Sequence, residues 1–159
     1  MISKQEQYET LLAQARSLMD GENDPIARMA NLAAAIHTTF GFWWTGFYRV
    51  VAVEAHEEVG KPFSEILLLG PFQGPIACTR IPYGRGVCGT AWKEARTIVV
   101  PDVEEFPGHI ACSSESRSEI VVPIIREGRV TAVLDIDSEH LATFDEVDAR
   151  YLERIVALL

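Results

Sequence analysis

The chain has 159 residues, 48% of them hydrophobic and 23% charged, values typical of one globular domain with a core of its own. Its formal net charge of −9 argues against nucleic acid and anionic membranes as partners, because both would repel it. No apolar stretch approaches the roughly 18 residues of a membrane span, and the first residues lack the apolar segment of a secretory signal. We therefore expect a single domain over residues 1–159, located in the cytoplasm.

Two helices are predicted within residues 1–40. Apolar and small residues recur at helical spacing between Lys4 and Met19, which indicates an amphipathic helix. Asp24 followed by Pro25 is typical of a helix start, because the aspartate caps free amides and proline fits the first turn. The second helix is expected to fill the rest of this segment, and both are interpreted as structural.

The next segment is rich in aromatic and β-branched residues and predicts a strand. Strand alternation places Trp44, Gly46 and Tyr48 on one face. Such a face is usually core; the alternative is the wall of a ligand pocket, with the glycine making room for the ligand. The polar residues 55–64 predict a hairpin loop, and residues 66–69 predict the returning strand.

The chain has three cysteines, Cys78, Cys88 and Cys112, which is an odd number, and it is long enough to fold without disulfide bonds. In a reducing compartment they are expected to be free, metal-bound or redox-active rather than structural bridges. A metal site is not predicted, because the chain has no C-x-x-C pair and only His109 lies close to a cysteine in sequence. Three inert buried thiols are the alternative.

The first two cysteines have different predicted settings. Cys78 falls in the strand-like residues 76–81. Cys88 falls in the first turn of a helix predicted over residues 87–95, where the positive end of the helix dipole is expected to lower its pKa.

The third cysteine lies in a loop over residues 101–118 that is too long for a simple connector and is therefore a functional candidate. Small polar residues surround Cys112 there, which predicts an accessible thiol. Arg117 or His109 is expected to favour its thiolate.

Two strands, predicted over residues 119–125 and 129–137, are joined by a tight turn. In the second, Asp135 and Asp137 point the same way, and their repulsion is expected to raise at least one pKa, as a proton donor requires. The alternative is a solvated strand end. The two predicted faces of this strand are Val130, Ala132, Leu134 and Ile136, and Thr131, Val133, Asp135 and Asp137.

The order of these elements predicts an α+β fold. We expect an antiparallel sheet of about six strands, with helices packed on one face and a loop-covered ligand pocket on the other. Residues 1–40 supply the N-terminal helices, residues 41–137 the sheet and the catalytic loops, and residues 145–159 the C-terminal helix.

This element order resembles the GAF domain, a module that binds small molecules. Three motifs narrow the resemblance to the free methionine-(R)-sulfoxide reductases: GPFQGPIACTRIPYGRGVCGTAW, FPGHIACSSESRSEIVVPI and AVLDIDS, over residues 70–92, 106–124 and 132–138. It extends from about Trp44 to the C-terminus. The segment over residues 53–64 departs from the family by its length, away from the motifs.

The resemblance implies reduction of the R diastereomer of methionine sulfoxide as the free amino acid. It implies that Cys112 is the nucleophile, Cys78 the resolving thiol that forms a disulfide with it, and Cys88 an auxiliary thiol for recycling. The implied substrate-binding residues are the carboxylates around the sulfoxide and the aromatic wall for its methyl end: Glu119, Asp135, Asp137, Trp44 and Tyr48.

The residues are consistent with that chemistry, since a thiolate and a neutral carboxylic acid can together displace a sulfoxide oxygen. The resemblance implies thioredoxin as the external reductant, and we expect no metal and no bound cofactor. A homodimer is plausible for this architecture. The competing interpretations are a non-enzymatic GAF sensor that binds a small ligand, a thiol peroxidase, and a structural protein with inert thiols.

Overall fold

The computed structural model describes residues 1–54, 63–110, 112 and 114–159. Within these residues the helices are α1 (Lys4–Met19), α2 (Pro25–Phe40), α3 (Gly86–Glu94) and α4 (Glu146–Val156). The strands are β1 (Trp44–Glu54), β2 (Phe63–Gln73), β3 (Arg80–Pro82), β4 (Ile98–Val100), β5 (Ser118–Arg126) and β6 (Arg129–Ser138). Most of the predicted hairpin loop over residues 55–64 lies outside the described residues. No described helix is long and apolar enough to cross a bilayer.

The strands form a sheet in the order β3-β2-β1-β6-β5-β4, and every neighbouring pair is antiparallel. This confirms the predicted α+β fold. The central pair, β1 and β6, brings segments from distant parts of the chain side by side, so that Trp44 lies opposite Asp137 and Gly46 opposite Asp135.

Three helices, α1, α2 and α4, pack on one face of the sheet, which we call the helix face. Local signals start them: Ser3 and Glu6 form a capping box on α1, and Asp24 caps α2 with Pro25 in its first turn. The strands contribute to this core with the side chains of Phe47, Ile120, Val122, Ile124, Ala132, Leu134 and Ile136.

A buried polar cluster ties α1 to α4 within this core. The Tyr8 hydroxyl donates to Asp148 Oδ1 at 2.6 Å, and Lys4 Nζ donates to Asp148 Oδ2 at 2.7 Å. Asp148 is 1% exposed, and its side chain also accepts from the Asp145 backbone N–H at 2.8 Å, so three donors replace the solvent that burial removes. Partial burial alone would lower the pKa of Lys4, but the hydrogen bonds and attraction of Asp148 and Asp145 raise it.

The opposite face, which we call the pocket face, carries α3 as well as loops, an addition to the expectation that helices pack on one face only. Val87, Cys88 and Ala91 on α3 are buried against this face. Gly89 allows the close approach, because a Cβ there would lie 2.8 Å from the Pro82 carbonyl oxygen. The position of the first turn of α3 is therefore closely constrained by the turn that follows β3.

Two β-bulges alter the predicted strands. β2 continues through Gly70 and Pro71 to Gln73 instead of ending at residue 69, because the register shifts opposite Phe47 and a bulge tolerates proline. On β6 the pairing with β5 skips Thr131, and Val130 consequently packs on the pocket face. The prediction that Val130 shares a face with Ala132 was wrong.

Candidate functional site

A pocket opens on the pocket face between β1, the ends of β5 and β6, the first turn of α3 and the loop before β5. Seven of the eight predicted site residues line it, namely Trp44, Tyr48, Cys88, Cys112, Glu119, Asp135 and Asp137. The eighth, Cys78, is bonded to one of these seven. Strand alternation and register thus gather residues that lie up to 93 positions apart in the sequence (137 − 44 = 93).

Cys78 and Cys112 form a disulfide at the mouth of the pocket, with their Cα atoms 5.6 Å apart. Cys112 is exposed and Cys78 is half-buried. Cys78 lies in the loop before β3, so its predicted place in a strand was wrong. The turn at Gly74, which has a φ of 125°, redirects the chain, and pairing with β2 resumes at Thr79.

The two aromatic residues predicted to form the pocket wall also hold the segment that carries Cys78. Trp44 Nε1 donates to the Pro75 carbonyl at 3.0 Å, and the Tyr48 hydroxyl donates to the Cys78 carbonyl at 2.9 Å. The Trp44 and Tyr48 rings stack with their centroids 5.9 Å apart. Trp44 and Tyr48 therefore both line the pocket and hold the backbone of the segment that carries Cys78.

Gly46 does not have the role that the ligand-pocket alternative gave it. The space beside it is filled by the Trp44 ring and by Phe72, which a Cβ at Gly46 would strike. The glycine therefore makes room for the aromatic wall and not for a ligand.

Three carboxyl groups meet at the bottom of the pocket. Glu119 on β5 lies directly opposite Asp137 on β6, and Asp135 is two residues further along the same face. Glu119 and Asp135 are each 6% exposed. Among the described residues, no lysine or arginine forms an ion pair with any of the three.

A basic side chain, His109, lies beside Glu119, with its Nε2 3.9 Å from Glu119 Oε2. Burial lowers the pKa of His109 below its usual range, so the ring is neutral at pH 7 and does not balance the acids.

Burial raises the pKa of Glu119 and Asp137 well above the usual range, and repulsion from Asp135 raises both further. The predicted upward shift is confirmed, but its larger cause is loss of solvent and not repulsion. Burial also raises the pKa of Asp135, while hydrogen bonds from Glu119 and Cys88 counteract that rise. Asp135 is therefore the acceptor of the group and Glu119 a donor.

The Cys88 side chain lines the pocket, is 4% exposed, and carries the free thiol that remains beside the disulfide. Burial raises its pKa well above the ordinary value, and the charges of Asp135 and Glu119 raise it further. The prediction that the helix dipole lowers this pKa was wrong, because desolvation and nearby acids outweigh a dipole of about half a unit charge.

Ligand atoms of Cys88, Glu119 and Asp135 lie within 4.8 Å of one another, a spacing that would suit a divalent cation. The thiol and the acid already direct their protons at Asp135. The arrangement is that of a hydrogen-bonded network, and the sequence-based expectation of no metal stays a prediction.

Two further polar groups border the site that the sequence interpretation did not single out. Ser116 Oγ donates to Asp137 Oδ1 at 2.8 Å, and Trp43 lines the pocket with a buried indole N–H that has no partner among the described residues. In the sequence, Trp43 stands out only as a neighbour of Trp44, and Ser116 only as one of several serines in the polar loop. Neither position indicates a site residue, because only the pairing of β1, β5 and β6 brings the two residues to the pocket.

Comparison with known proteins agrees with this geometry. A family model described as the GAF domain matches residues 26–159. GAF domain-containing protein A of Dictyostelium discoideum is 55% identical over 157 residues, covering 99% of this chain and 92% of that protein.

Free methionine-R-sulfoxide reductase of Saccharomyces cerevisiae is 40% identical over 164 residues, covering 99% of this chain and 86% of that protein. A crystal structure of free methionine-R-sulfoxide reductase from Neisseria meningitidis in complex with its substrate superposes with a TM-score of 0.88 at 50% identity, covering 98% of this chain and 87% of that one. The acidic pocket, the disulfide at its mouth and these relatives agree: the chain belongs to the GAF-domain family and, within it, to the free methionine-R-sulfoxide reductases.

Proposed function

We propose that this protein reduces free methionine-(R)-sulfoxide to methionine, with Cys112 as nucleophile and Cys78 as resolving thiol. One observation carries the proposal: an exposed cysteine, able to form a disulfide with a second, borders a pocket that contains three carboxyl groups, two of them buried and the third partly buried. Two of the relatives, the free methionine-R-sulfoxide reductases of Saccharomyces cerevisiae and Neisseria meningitidis, support the substrate class.

The chemistry balances with the groups in the pocket. The Cys112 thiolate attacks the sulfoxide sulfur while a neutral carboxyl group protonates the sulfoxide oxygen, which gives an adduct in which the methionine sulfur carries the hydroxyl group. The hydroxyl group then passes from the methionine sulfur to the Cys112 sulfur as the bond between the two sulfurs breaks. The methionine sulfur keeps the electron pair of that bond and is reduced, methionine leaves, and Cys112 is oxidised to a sulfenic acid. Cys78 then attacks the Cys112 sulfur, forms the disulfide and releases the oxygen as water.

Glu119 is the acid that best fits the protonating role. Burial raises its pKa well above the ordinary value and so favours the protonated form, and its side chain lines the pocket. Burial also raises the pKa of Asp137, and Ser116 fixes its orientation by a hydrogen bond. Trp44 and Tyr48 would pack against the methyl end of the substrate.

Selection of a free amino acid follows from the uncompensated acids. A free methionine sulfoxide carries an ammonium group that a methionine within a peptide lacks, and a buried carboxylate without a cation is stabilised by such a group. The disulfide that ends each cycle is reduced by exchange with an external dithiol, for which we propose thioredoxin.

The test is a single-turnover experiment on the reduced protein. With one equivalent of methionine-(R)-sulfoxide we expect mass spectrometry to find methionine and a Cys78–Cys112 disulfide, and no such disulfide with the S diastereomer or with a peptide-bound sulfoxide. Cys112→Ser is the control, and its turnover should fall by at least about 10³-fold, the usual order for loss of a nucleophile. Disulfide formation with hydrogen peroxide but not with the sulfoxide would favour a peroxidase and contradict the proposal.

A further inference from the structure

The proposed redox cycle uses two of the three thiols and leaves Cys88 without a task. Cys88 is nevertheless at the centre of the acidic network and not at the edge of it. Its sulfur lies within 4.8 Å of ligand atoms of both Glu119 and Asp135, and all three side chains are buried. Burying a thiol together with two carboxyl groups costs folding free energy, because all three groups lose their contacts with water. A smaller apolar side chain at this position would avoid that cost, so the thiol is expected to have a role.

The position of this thiol is tightly held. It lies in the first turn of α3, where Thr90 Oγ1 donates to the Gly86 carbonyl at 2.6 Å and Gly89 packs directly on the turn after β3. The helix therefore has little freedom to carry Cys88 toward the disulfide at the pocket mouth.

The protonation of Cys88 also opposes an exchange role. Burial and the nearby acids favour the neutral thiol over the thiolate. Only a thiolate attacks a disulfide or a sulfenic acid at a useful rate, whereas a neutral thiol is a hydrogen-bond donor.

The acceptor within reach of the Cys88 thiol is Asp135, since atoms of Cys88, Glu119 and Asp135 lie within 4.8 Å of one another and hydrogen bonding from Glu119 and Cys88 counteracts the rise in the pKa of Asp135 that burial causes. Oδ1 of the Asp135 carboxylate is buried and has no hydrogen-bond partner among the described residues. Asp135 lines the pocket and is 6% exposed. A buried carboxylate oxygen without a hydrogen-bond partner is able to accept a hydrogen bond from a ligand.

We infer that Cys88 is a positioning residue, whose thiol donates a hydrogen bond that holds Asp135 with Oδ1 free to bind the ammonium group of an amino-acid substrate. This inference rests on the proposed function and deepens it. It assigns Asp135 the binding of the substrate cation, leaves proton donation to Glu119, and replaces the auxiliary recycling role that the family resemblance implies for Cys88.

The kinetic test compares Cys88→Ala with Cys88→Ser, since serine restores a donor and alanine does not. With dithiothreitol as reductant, we expect alanine to raise KM for methionine-(R)-sulfoxide about tenfold, the loss typical of a hydrogen bond to a charged group. Serine should remain within about threefold of the unmodified protein. Both variants should still form the Cys78–Cys112 disulfide in a single turnover.

A double-mutant cycle with Asp135→Asn identifies the route of the effect. If Cys88 acts through Asp135, the substitution Cys88→Ala should change KM by less than about twofold in the Asp135→Asn background. Equal loss of kcat in the serine and alanine variants, no change in either, or a Cys88–Cys112 disulfide after turnover would each overturn the inference.

A second measurement needs neither turnover nor a Cys88 variant. In the oxidised protein the disulfide leaves Cys88 as the single thiol, so its S–H stretching band can be read alone by infrared spectroscopy. We expect a band at the low frequency of a hydrogen-bonded thiol, moved upward by Asp135→Asn. An unmoved band overturns the inference even if the protein reduces methionine sulfoxide, while a moved band with no reductase activity would refute the proposed function alone.

Discussion

The helix face and the pocket face of the sheet both bury carboxyl groups, but they treat them in opposite ways. On the helix face, Asp148 accepts hydrogen bonds from Tyr8 and Lys4, so its charge is matched where it lies. On the pocket face, Glu119, Asp135 and Asp137 share one small volume without an ion-paired lysine or arginine among the described residues. The matched acid holds two helices together, and the unmatched acids are poised for a ligand.

The difference teaches which buried charges serve stability and which serve chemistry. A carboxylate that is paired with donors stabilises the fold only while those donors remain. Its oxygens already accept hydrogen bonds within the protein, so they are not available to a substrate. Uncompensated carboxyl groups raise their own pKa and keep protons, at a cost in folding free energy that the rest of the core must offset. The substitutions below test this contrast.

The largest effect on stability is expected from Asp148→Ala. The change leaves the Tyr8 hydroxyl buried and Lys4 without its best-buried partner, so the free energy of unfolding should fall by about 3 kcal/mol, or ~9 °C in Tm. Tyr8→Phe removes one donor and should cost about 1 kcal/mol. Thermal unfolding gives both values.

The same variant tests whether the two faces are independent. At a temperature well below both transitions, kcat of Asp148→Ala should equal that of the unmodified protein, because among the described residues no hydrogen bond or ion pair joins the pocket to the cluster formed by Lys4, Tyr8 and Asp148. A lowered kcat at that temperature would show that the faces are coupled.

A smaller effect of opposite sign is expected from Glu119→Gln. The folded protein keeps a proton on Glu119 at a pH where the unfolded chain loses it, so this residue makes stability fall as pH rises above the ordinary glutamate pKa of 4.5. Glutamine removes that penalty and should stabilise the protein by about 1 kcal/mol at pH 7.5, while lowering kcat.

The pH dependence is the control for this prediction. Below pH 4 glutamate is protonated in both states, so the stability difference between Glu119→Gln and the unmodified protein should disappear. Denaturant titrations at pH 4 and pH 7.5 measure it. An equal gain at both values would mean that packing, and not ionisation, is responsible.

The smallest effect is expected from Arg129→Ala. Arg129 pairs with Glu65 at 2.8 Å, but the two side chains are 71% and 46% exposed. Solvent screens such a pair, so the free energy of unfolding should change by less than about 0.5 kcal/mol. A loss as large as that of Asp148→Ala would break the distinction between matched buried charges and exposed ones.

Much of the site could be predicted from short-range pattern. The helix starts at Ser3 and Asp24 follow from capping chemistry within three residues, and the shared direction of Asp135 and Asp137 follows from strand alternation. The prediction of which side chains share a strand face was wrong at Val130, where a β-bulge interrupts the strand. An inserted residue inverts the alternation of the side chains, and no local sequence pattern indicates it.

The cysteines divide in the same way. Their glycine-bounded and polar settings marked them as reactive, and family resemblance assigned the pair that the structure joins, Cys78 and Cys112. The position of Cys88 at a helix start predicts a lowered pKa, because the helix start can be recognised in the sequence. The proximity of Asp135 and Glu119, which raises the pKa, cannot be recognised there.

The sequence by itself determined the helices, the α+β class, the segment that carries the thiols, and the family to which its motifs belong. Those features depend on residues close together in the chain, where side-chain periodicity and capping act directly. Only the tertiary structure decided that the unmatched acids share one buried volume, that Asp135 accepts from Cys88, and that Trp44 fills the space beside Gly46. Desolvation and charge interactions depend on which distant strands pair, so they become readable only when the sheet is assembled.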